Sequence, residues 1–177
     1  MPSRLAVPLV RACSVAAALA LVSCSSDAAR DPLAPTAPAA SAARVTLPLR
    51  GTLETTVKSM TPLGPTTALF HAEGTGTATH LGRYTIISDL TLDFATLTGT
   101  EQVTLTAANG DVLYVTVTAQ GSPNADGVTV NVLETATITG GTGRFAGAAG
   151  SYIARCVSNQ ATGVATGTLE GTVSLVH

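Results

Sequence analysis

The 177-residue sequence has few aromatic and few charged side chains. It contains no Trp, three Tyr and three Phe, and Asp, Glu, Lys and Arg together make up only 11% of the chain. The formal net charge is -2, so there is no basic excess to neutralise phosphate groups. We therefore expect no nucleic-acid partner. The sequence also has no apolar run near the roughly 20 residues that a membrane-spanning helix needs.

Motifs for metals, nucleotides and nucleophiles are missing as well. The three histidines and three cysteines show no HxH, HxxxH or CxxC spacing. The glycine-rich stretch 140–150 lacks the lysine of a phosphate loop and the long helix of a dinucleotide-binding fold. No GxSxG elbow occurs. We predict no metal site and no cofactor.

The first 23 residues are typical of a lipoprotein signal peptide. Arg4 and Arg11 supply the positive charge, and residues 12–22 form an apolar run that is too short to span a membrane. Residues 21–24 (LVSC) resemble a bacterial lipobox, in which the cysteine, here Cys24, is lipidated and becomes the first residue. The alternative is an ordinary secretory signal in which Cys24 is incidental.

The residue after the cysteine bears on localisation. In Gram-negative lipoproteins of the type that this segment resembles, a residue other than Asp after the cysteine implies delivery to the outer membrane, and Ser25 stands here. We therefore expect an outer-membrane lipoprotein of the bacterial cell envelope, facing the periplasm or the exterior. The protein would associate with the membrane through its lipid anchor.

Residues 24–43 are predicted to be the lipidated cysteine followed by a tether rich in Pro and Ala. A composition of this kind keeps a segment extended and unpacked. The folded domain is predicted over residues 44–177. Because Cys13 leaves with the signal and Cys24 carries lipid, Cys156 has no disulfide partner in this domain. We expect Cys156 to act as a small buried hydrophobe.

The domain alternates apolar and polar side chains in eight segments, the period of half-buried strands. These segments are residues 45–58, 68–79, 83–94, 98–107, 111–119, 128–139, 151–157 and 163–175. Asn109-Gly110 between the fourth and fifth predicts a hairpin, because both residues tolerate positive φ. No segment has a helical period. We predict an all-β, eight-stranded antiparallel β-barrel. The alternative is an immunoglobulin-like β-sandwich, but the domain lacks the Trp and the Cys pair that are typical of that fold.

A family resemblance rests on two segments. Residues 140–150 (GGTGRFAGAAG) resemble the glycine-rich segment of the allene oxide cyclase and dirigent-like barrels, and residues 74–84 (GTGTATHLGRY) are similar to a pattern in bacterial secreted proteins of this barrel type. The resemblance implies a barrel with a central cavity, trimeric in plant members. It assigns no cavity residue of this chain, so cyclase chemistry does not carry over. From the residues themselves, 140–150 is predicted to connect strands six and seven tightly, with Phe145 plugging the barrel end.

Two carboxylates interrupt otherwise apolar strand faces. Glu101 and Glu134 alternate in phase with the Val, Leu and Ile side chains of their strands. An inward carboxyl needs a partner or takes a raised pKa, which marks a candidate ligand-cavity site, and His80 and Tyr152 are the candidate partners. The alternative is that each acid lies at a barrel rim, or that a bulge turns it towards water.

Three functions are consistent with these features. The first is a lipid-anchored envelope protein that binds a small apolar molecule inside the barrel. The second is a dirigent-like or cyclase-like isomerase with an inward acid or base. The third is a structural envelope protein with a filled interior and no ligand. The resemblance also implies a homo-oligomer, a trimer in the plant proteins.

The lipobox generates a direct prediction. Cys24→Ala should abolish acylation and release the mature domain from membranes, because stable anchoring needs more than one acyl chain on the protein. Fractionation of membranes and soluble extract measures this. Membrane partitioning that stays the same in the variant would contradict the lipoprotein prediction.

Overall fold

The computed structural model describes residues 43–176, which fold into eight strands and one short 3-10 helix. The strands are β1 (Arg44–Pro62), β2 (Thr67–Ala78), β3 (Gly82–Asp93), β4 (Thr98–Ala107), β5 (Val112–Pro123), β6 (Thr129–Gly141), β7 (Ala149–Asn159) and β8 (Val164–Val176). The predicted signal peptide, Cys24 and the tether up to residue 42 lie outside the described residues. No helix within residues 43–176 is long and apolar enough to cross a membrane.

The eight strands form one closed barrel. Each strand pairs antiparallel with the next in sequence, and β1 also pairs with β8, from Arg44 opposite Val176 to Thr56 opposite Val164. This confirms the predicted eight-stranded antiparallel barrel. The β-sandwich alternative is wrong, because a sandwich consists of two separate sheets with edge strands, whereas here the first and last strands hydrogen-bond to each other.

The first strand is longer than its sequence pattern predicted. A bulge at Lys58 shifts the register, so that Val57 lies opposite Ala72 and Ser59 opposite His71. Beyond the bulge the pairing continues to Pro62, opposite Ala68. The predicted alternation ends near the bulge because one extra residue reverses which side chains face inward.

The hairpin between β4 and β5 forms as predicted but with a different turn. Gly110 has a φ of +88°, whereas Asn109 does not take positive φ. The Gly110 N–H donates to the Ala107 carbonyl at 2.9 Å, and the Ala107 N–H donates to the Asp111 carbonyl at 2.9 Å. The connection is therefore a type I turn followed by a left-handed glycine, not a two-residue turn with two positive φ values.

Glycine inside the barrel allows an aromatic ring to cross the interior. A Cβ on Gly76 would collide with the Tyr84 ring and with the backbone oxygen of Thr52. With glycine there, Tyr84 reaches across β2, and its hydroxyl donates to the Thr52 carbonyl at 3.0 Å. This glycine is required for close approach between strands rather than for an unusual φ.

One end of the barrel is plugged. The 3-10 helix Gly143–Phe145 connects β6 to β7, and Phe145 is fully buried in the hydrophobic core, as predicted. Arg144 covers the plug from outside: its guanidinium donates to the Leu81 carbonyl at 3.3 Å and lies 3.6 Å from the Asp111 carboxylate. The core is therefore concentrated at this end, where both β1 begins and β8 ends.

Removal of the plug should destabilise the barrel. Phe145→Ala is expected to lower the free energy of unfolding by about 3–5 kcal/mol, because it leaves a cavity where a large side chain was fully buried. Denaturant titration measures the change. Phe94→Ala is the matched control, since Phe94 is 48% exposed, and it should cost much less. Equal effects of the two substitutions would show that Phe145 is no plug.

Candidate functional site

The end of the barrel opposite Phe145 holds a cavity of about 190 Å³. All eight strands contribute side chains to its wall, and most of these are apolar. They include Val57, Phe70, Ala72, Leu90, Leu92, Ala119, Val130, Val132 and Ala165. A smaller void of about 50 Å³ lies next to it, towards the packed core. The residues that line both are Thr55, Glu101, Glu134, Cys156 and Ala165.

A wider groove of about 1140 Å³ crosses the outer surface. Threonine is the most frequent residue in its walls, and threonines such as Thr52, Thr77 and Thr168 are exposed to solvent. Threonine is common on the exposed faces of strands, so this composition points to no particular ligand. The cavity inside the barrel is therefore the candidate site.

Both carboxylates of interest face the cavity. Glu101 lies on β4 opposite Leu90 and Val117, and Glu134 lies on β6 opposite Ala119 and Ala154. The register shifts of the barrel occur elsewhere, at Val57/Ser59 in β1 and at Tyr114/Val115 in β5. No bulge turns either acid outward, and both are largely removed from solvent at the base of the cavity.

Glu101 is held by a neighbouring hydroxyl. The Ser88 side chain, which is buried on the inner face of β3, donates a hydrogen bond to Glu101 Oε1. Burial raises the pKa of Glu101, the Ser88 hydrogen bond opposes this change, and the charge of Asp89 adds to it. Loss of hydration is the largest cause, so the neutral carboxyl is favoured relative to an exposed glutamate.

The pKa of Glu134 is shifted in the same direction as that of Glu101. Burial raises the pKa of Glu134 to about 8, the nearby Glu101 charge contributes in the same sense, and the Cys156 thiol lowers it by hydrogen bonding. The two acids therefore compete for ionisation, because one charge in this enclosed space disfavours a second. Burial also raises the pKa of the Cys156 thiol, so it remains protonated rather than becoming a thiolate nucleophile.

The structure separates the two partners that the sequence suggested for these acids. Tyr152 is buried on β7 and lines the small void together with Glu101 and Glu134. His80 instead lies exposed in the turn between β2 and β3, with a φ of +65°. That turn is at the plugged end, so the hypothesis that His80 partners either carboxylate is wrong.

Ser88, Cys156 and Thr55 lie beside the two acids, and the sequence did not single them out as candidate site residues. Ser88 carried a usable signal, since it is a polar residue in phase with Ile86 and Leu90 on an inner face. Thr55 carried a weaker signal, because threonine occurs on both faces of these strands. Cys156 is buried as expected, but its proximity to Glu134 depends on pairing between β6 and β7, which no local pattern reveals.

Comparison with known proteins supports the fold. The chain is similar to a solved structure of a pterocarpan synthase dirigent protein, with a TM-score of 0.54 and 16% sequence identity over 76% of this chain and 87% of the other. No protein-family model matches the sequence, and no curated protein matches it. The likeness shows a dirigent-like β-barrel fold.

The buried acids predict how stability depends on pH. Because their folded pKa values lie above the unfolded value of 4.5, the folded state binds more protons than the unfolded state between about pH 4.5 and 8. The contribution of the two carboxyls to the free energy of unfolding is fully present below about pH 4.5 and is lost as pH rises. Glu134→Gln should therefore lose less stability than the parent between pH 5 and 8, by more than about 1 kcal/mol.

Unfolding titrations at several pH values measure this difference, with Glu54→Gln as the control because Glu54 is exposed. Hydrogen bonding to Asp89 raises the pKa of the exposed His71, which acts in the same direction but equally in parent and variants. Parallel pH profiles for the parent and Glu134→Gln would contradict the assignment of Glu134 as a buried acid.

Proposed function

We propose that the barrel binds a small, mainly apolar molecule in the cavity between its open end and the Glu101–Glu134 pair. The observation that carries this proposal is a cavity of about 190 Å³ with apolar walls and two acids at its base. An apolar cavity of about 150 Å³ accommodates benzene. The space therefore fits one ring that carries a short alkyl chain.

The interior favours binding over a purely structural role. A structural barrel gains most stability from a filled interior, as the plugged end shows with Phe145, Leu113 and Val173. The open half instead leaves a cavity beside two carboxyls whose burial costs stability. Such features are common at binding sites, where a ligand recovers the missing contacts.

The surroundings of the mouth suit an apolar ligand. Met60, Leu63 and Phe94 are large apolar side chains with about half of their surface exposed, in segments that end at the open side of the barrel. Phe94 packs edge-on against Phe70, with ring centroids 6.0 Å apart, and both rings line the cavity. An apolar molecule would enter past these rings.

We further infer that the domain is held at the bacterial cell envelope by lipid on Cys24. The lipobox-like residues 21–24 and the Pro-rich segment after them support this. The chain enters the barrel at Arg44, whose side chain donates to the Gly147 carbonyl at 3.0 Å beside the plug. A tether would therefore join the barrel at the end opposite the mouth.

A second candidate function is an isomerase or cyclase that uses Glu134 as an acid. Its support is the raised pKa of about 8, which keeps a proton on the carboxyl at neutral pH inside an apolar cavity. The similar solved structure is described as a synthase, but the sequence likeness to it is low. Turnover of a bound ligand that Glu134→Gln abolishes would favour this candidate over simple binding.

Filling the cavity tests the binding proposal. Ala165→Phe places a ring where the cavity and the smaller void meet, and it should abolish binding of small neutral probes such as indole and toluene. Calorimetry or ligand-detected NMR measures binding. Ala108→Phe is the matched control, since Ala108 is exposed in the β4–β5 turn.

The parent and Ala108→Phe should bind the probes equally well, with circular dichroism confirming that both variants are folded. Absence of probe binding by the parent would refute the proposal. So would binding that survives in folded Ala165→Phe.

A further inference from the structure

We propose that the ligand of this cavity is a small apolar amine, whose ammonium group binds between Glu101 and Glu134. This inference rests on the proposed function, since it requires that the cavity binds a ligand at all. It adds the chemical class of the ligand. The argument uses the charges, the hydrogen-bond acceptors and the dimensions of the cavity.

The charges that face the cavity are of one sign. Among the residues that line it or the adjoining void, every ionisable group is an acid that becomes negative when it loses its proton, and none is Lys, Arg or His. The cations nearest in sequence to cavity residues, Lys58 and Arg155, are exposed. A ligand anion would face only groups that can become negative, whereas a ligand cation would be the positive partner that the cavity lining lacks and would favour ionisation of the carboxyls.

The hydrogen-bond acceptors match a primary ammonium group. An ammonium has three donors and no acceptor. Glu101 and Glu134 offer carboxyl oxygens, and the Tyr152 hydroxyl lines the same void. Tyr152 is only 6% exposed, so this residue lies on the inner side of the barrel wall. An ammonium seated between the acids would have this hydroxyl oxygen as a further acceptor in the void.

An inorganic cation fits the cavity less well. Calcium takes six to eight oxygen ligands, and magnesium retains several waters. The walls above the acids are mainly carbon, and Ser88 already donates its hydroxyl hydrogen to Glu101. An amine needs few oxygens, and its carbon skeleton would cover the apolar walls.

The dimensions limit the size of the amine. Val130 at the start of β6 and Glu134 both face the cavity and are four residues apart, which corresponds to roughly 13 Å along the strand at about 3.3 Å per residue. A phenyl ring on a chain of three or four carbons spans a comparable distance. Its ring would lie near Phe70 and Phe94, and its ammonium group would reach the acids.

Binding of an amine should depend on pH. The groups that face the acids are Tyr84 from β3 and Tyr152 and Cys156 from β7, and burial raises the pKa of each, so they stay neutral. Asp89 is the further charge that acts on Glu101. A bound cation favours the ionised pair, so the complex releases protons and its affinity rises from pH 5 to 8.

Three probes that share one skeleton test the proposal on the parent protein: 4-phenylbutylamine, 4-phenylbutan-1-ol and 4-phenylbutanoate. At pH 7.5 the amine should bind at least about tenfold more tightly than the alcohol, and the anion most weakly. The amine affinity should rise between pH 5 and 8, while that of the alcohol stays constant. The double variant Glu101→Gln/Glu134→Gln should lose the preference, and Glu54→Gln should keep it.

The outcomes separate this inference from the proposed function. Equal binding of amine and alcohol, with no pH dependence, would overturn the amine assignment while leaving the apolar binding site intact. Tighter binding of 4-phenylbutanoate than of the amine would also overturn the amine assignment while leaving the apolar binding site intact. If none of the three probes binds and neutral indole and toluene also fail, both the proposed function and the amine assignment are wrong. A preference that survives in the folded double variant would place the ammonium elsewhere and overturn the assignment.

Discussion

Pairing between β1 and β8 is the interaction on which the rest of this structure depends. It joins the first and last strands of a meander, and it converts a sheet with two open edges into a barrel with an interior. Once the sheet is closed, alternate side chains of every strand must share one enclosed space. Glycines such as Gly76 then become necessary, because neighbouring backbones and rings approach too closely for a Cβ.

The interior is divided into two halves with different physical roles. At the plugged end, Phe145 and the surrounding aliphatic side chains are fully buried, and this packing stabilises the fold. At the open end, the side chains leave a cavity, and two carboxyls occupy its base. The packed half offsets the cost of the open half, so a stable barrel retains a site that would be unfavourable by itself.

Closure also explains the electrostatics of the site. Glu101 and Glu134 lie on strands separated by β5, opposite Val117 and Ala119, and in a flat sheet their side chains would stand two strands apart over one face. Curvature turns both towards the axis, where water is scarce and each carboxyl affects the ionisation of the other. A site with two acids and no inward cation among the described residues is suited to a ligand that supplies positive charge or shares a proton.

The sequence by itself determined the number of strands, the direction in which most side chains face, and the burial of Phe145. These features follow from a period of two and from the small residues around the plug, which are local properties of the chain. It also put Glu101 and Glu134 in phase with apolar neighbours, but it left open whether a bulge would turn them outward. Only the tertiary structure decided that both face one cavity together with Tyr152, Ser88 and Cys156, and that His80 lies in an exposed turn far from them. Distances across a barrel depend on strand register, bulges and closure, which arise from contacts between segments remote in sequence, and no local pattern contains that information.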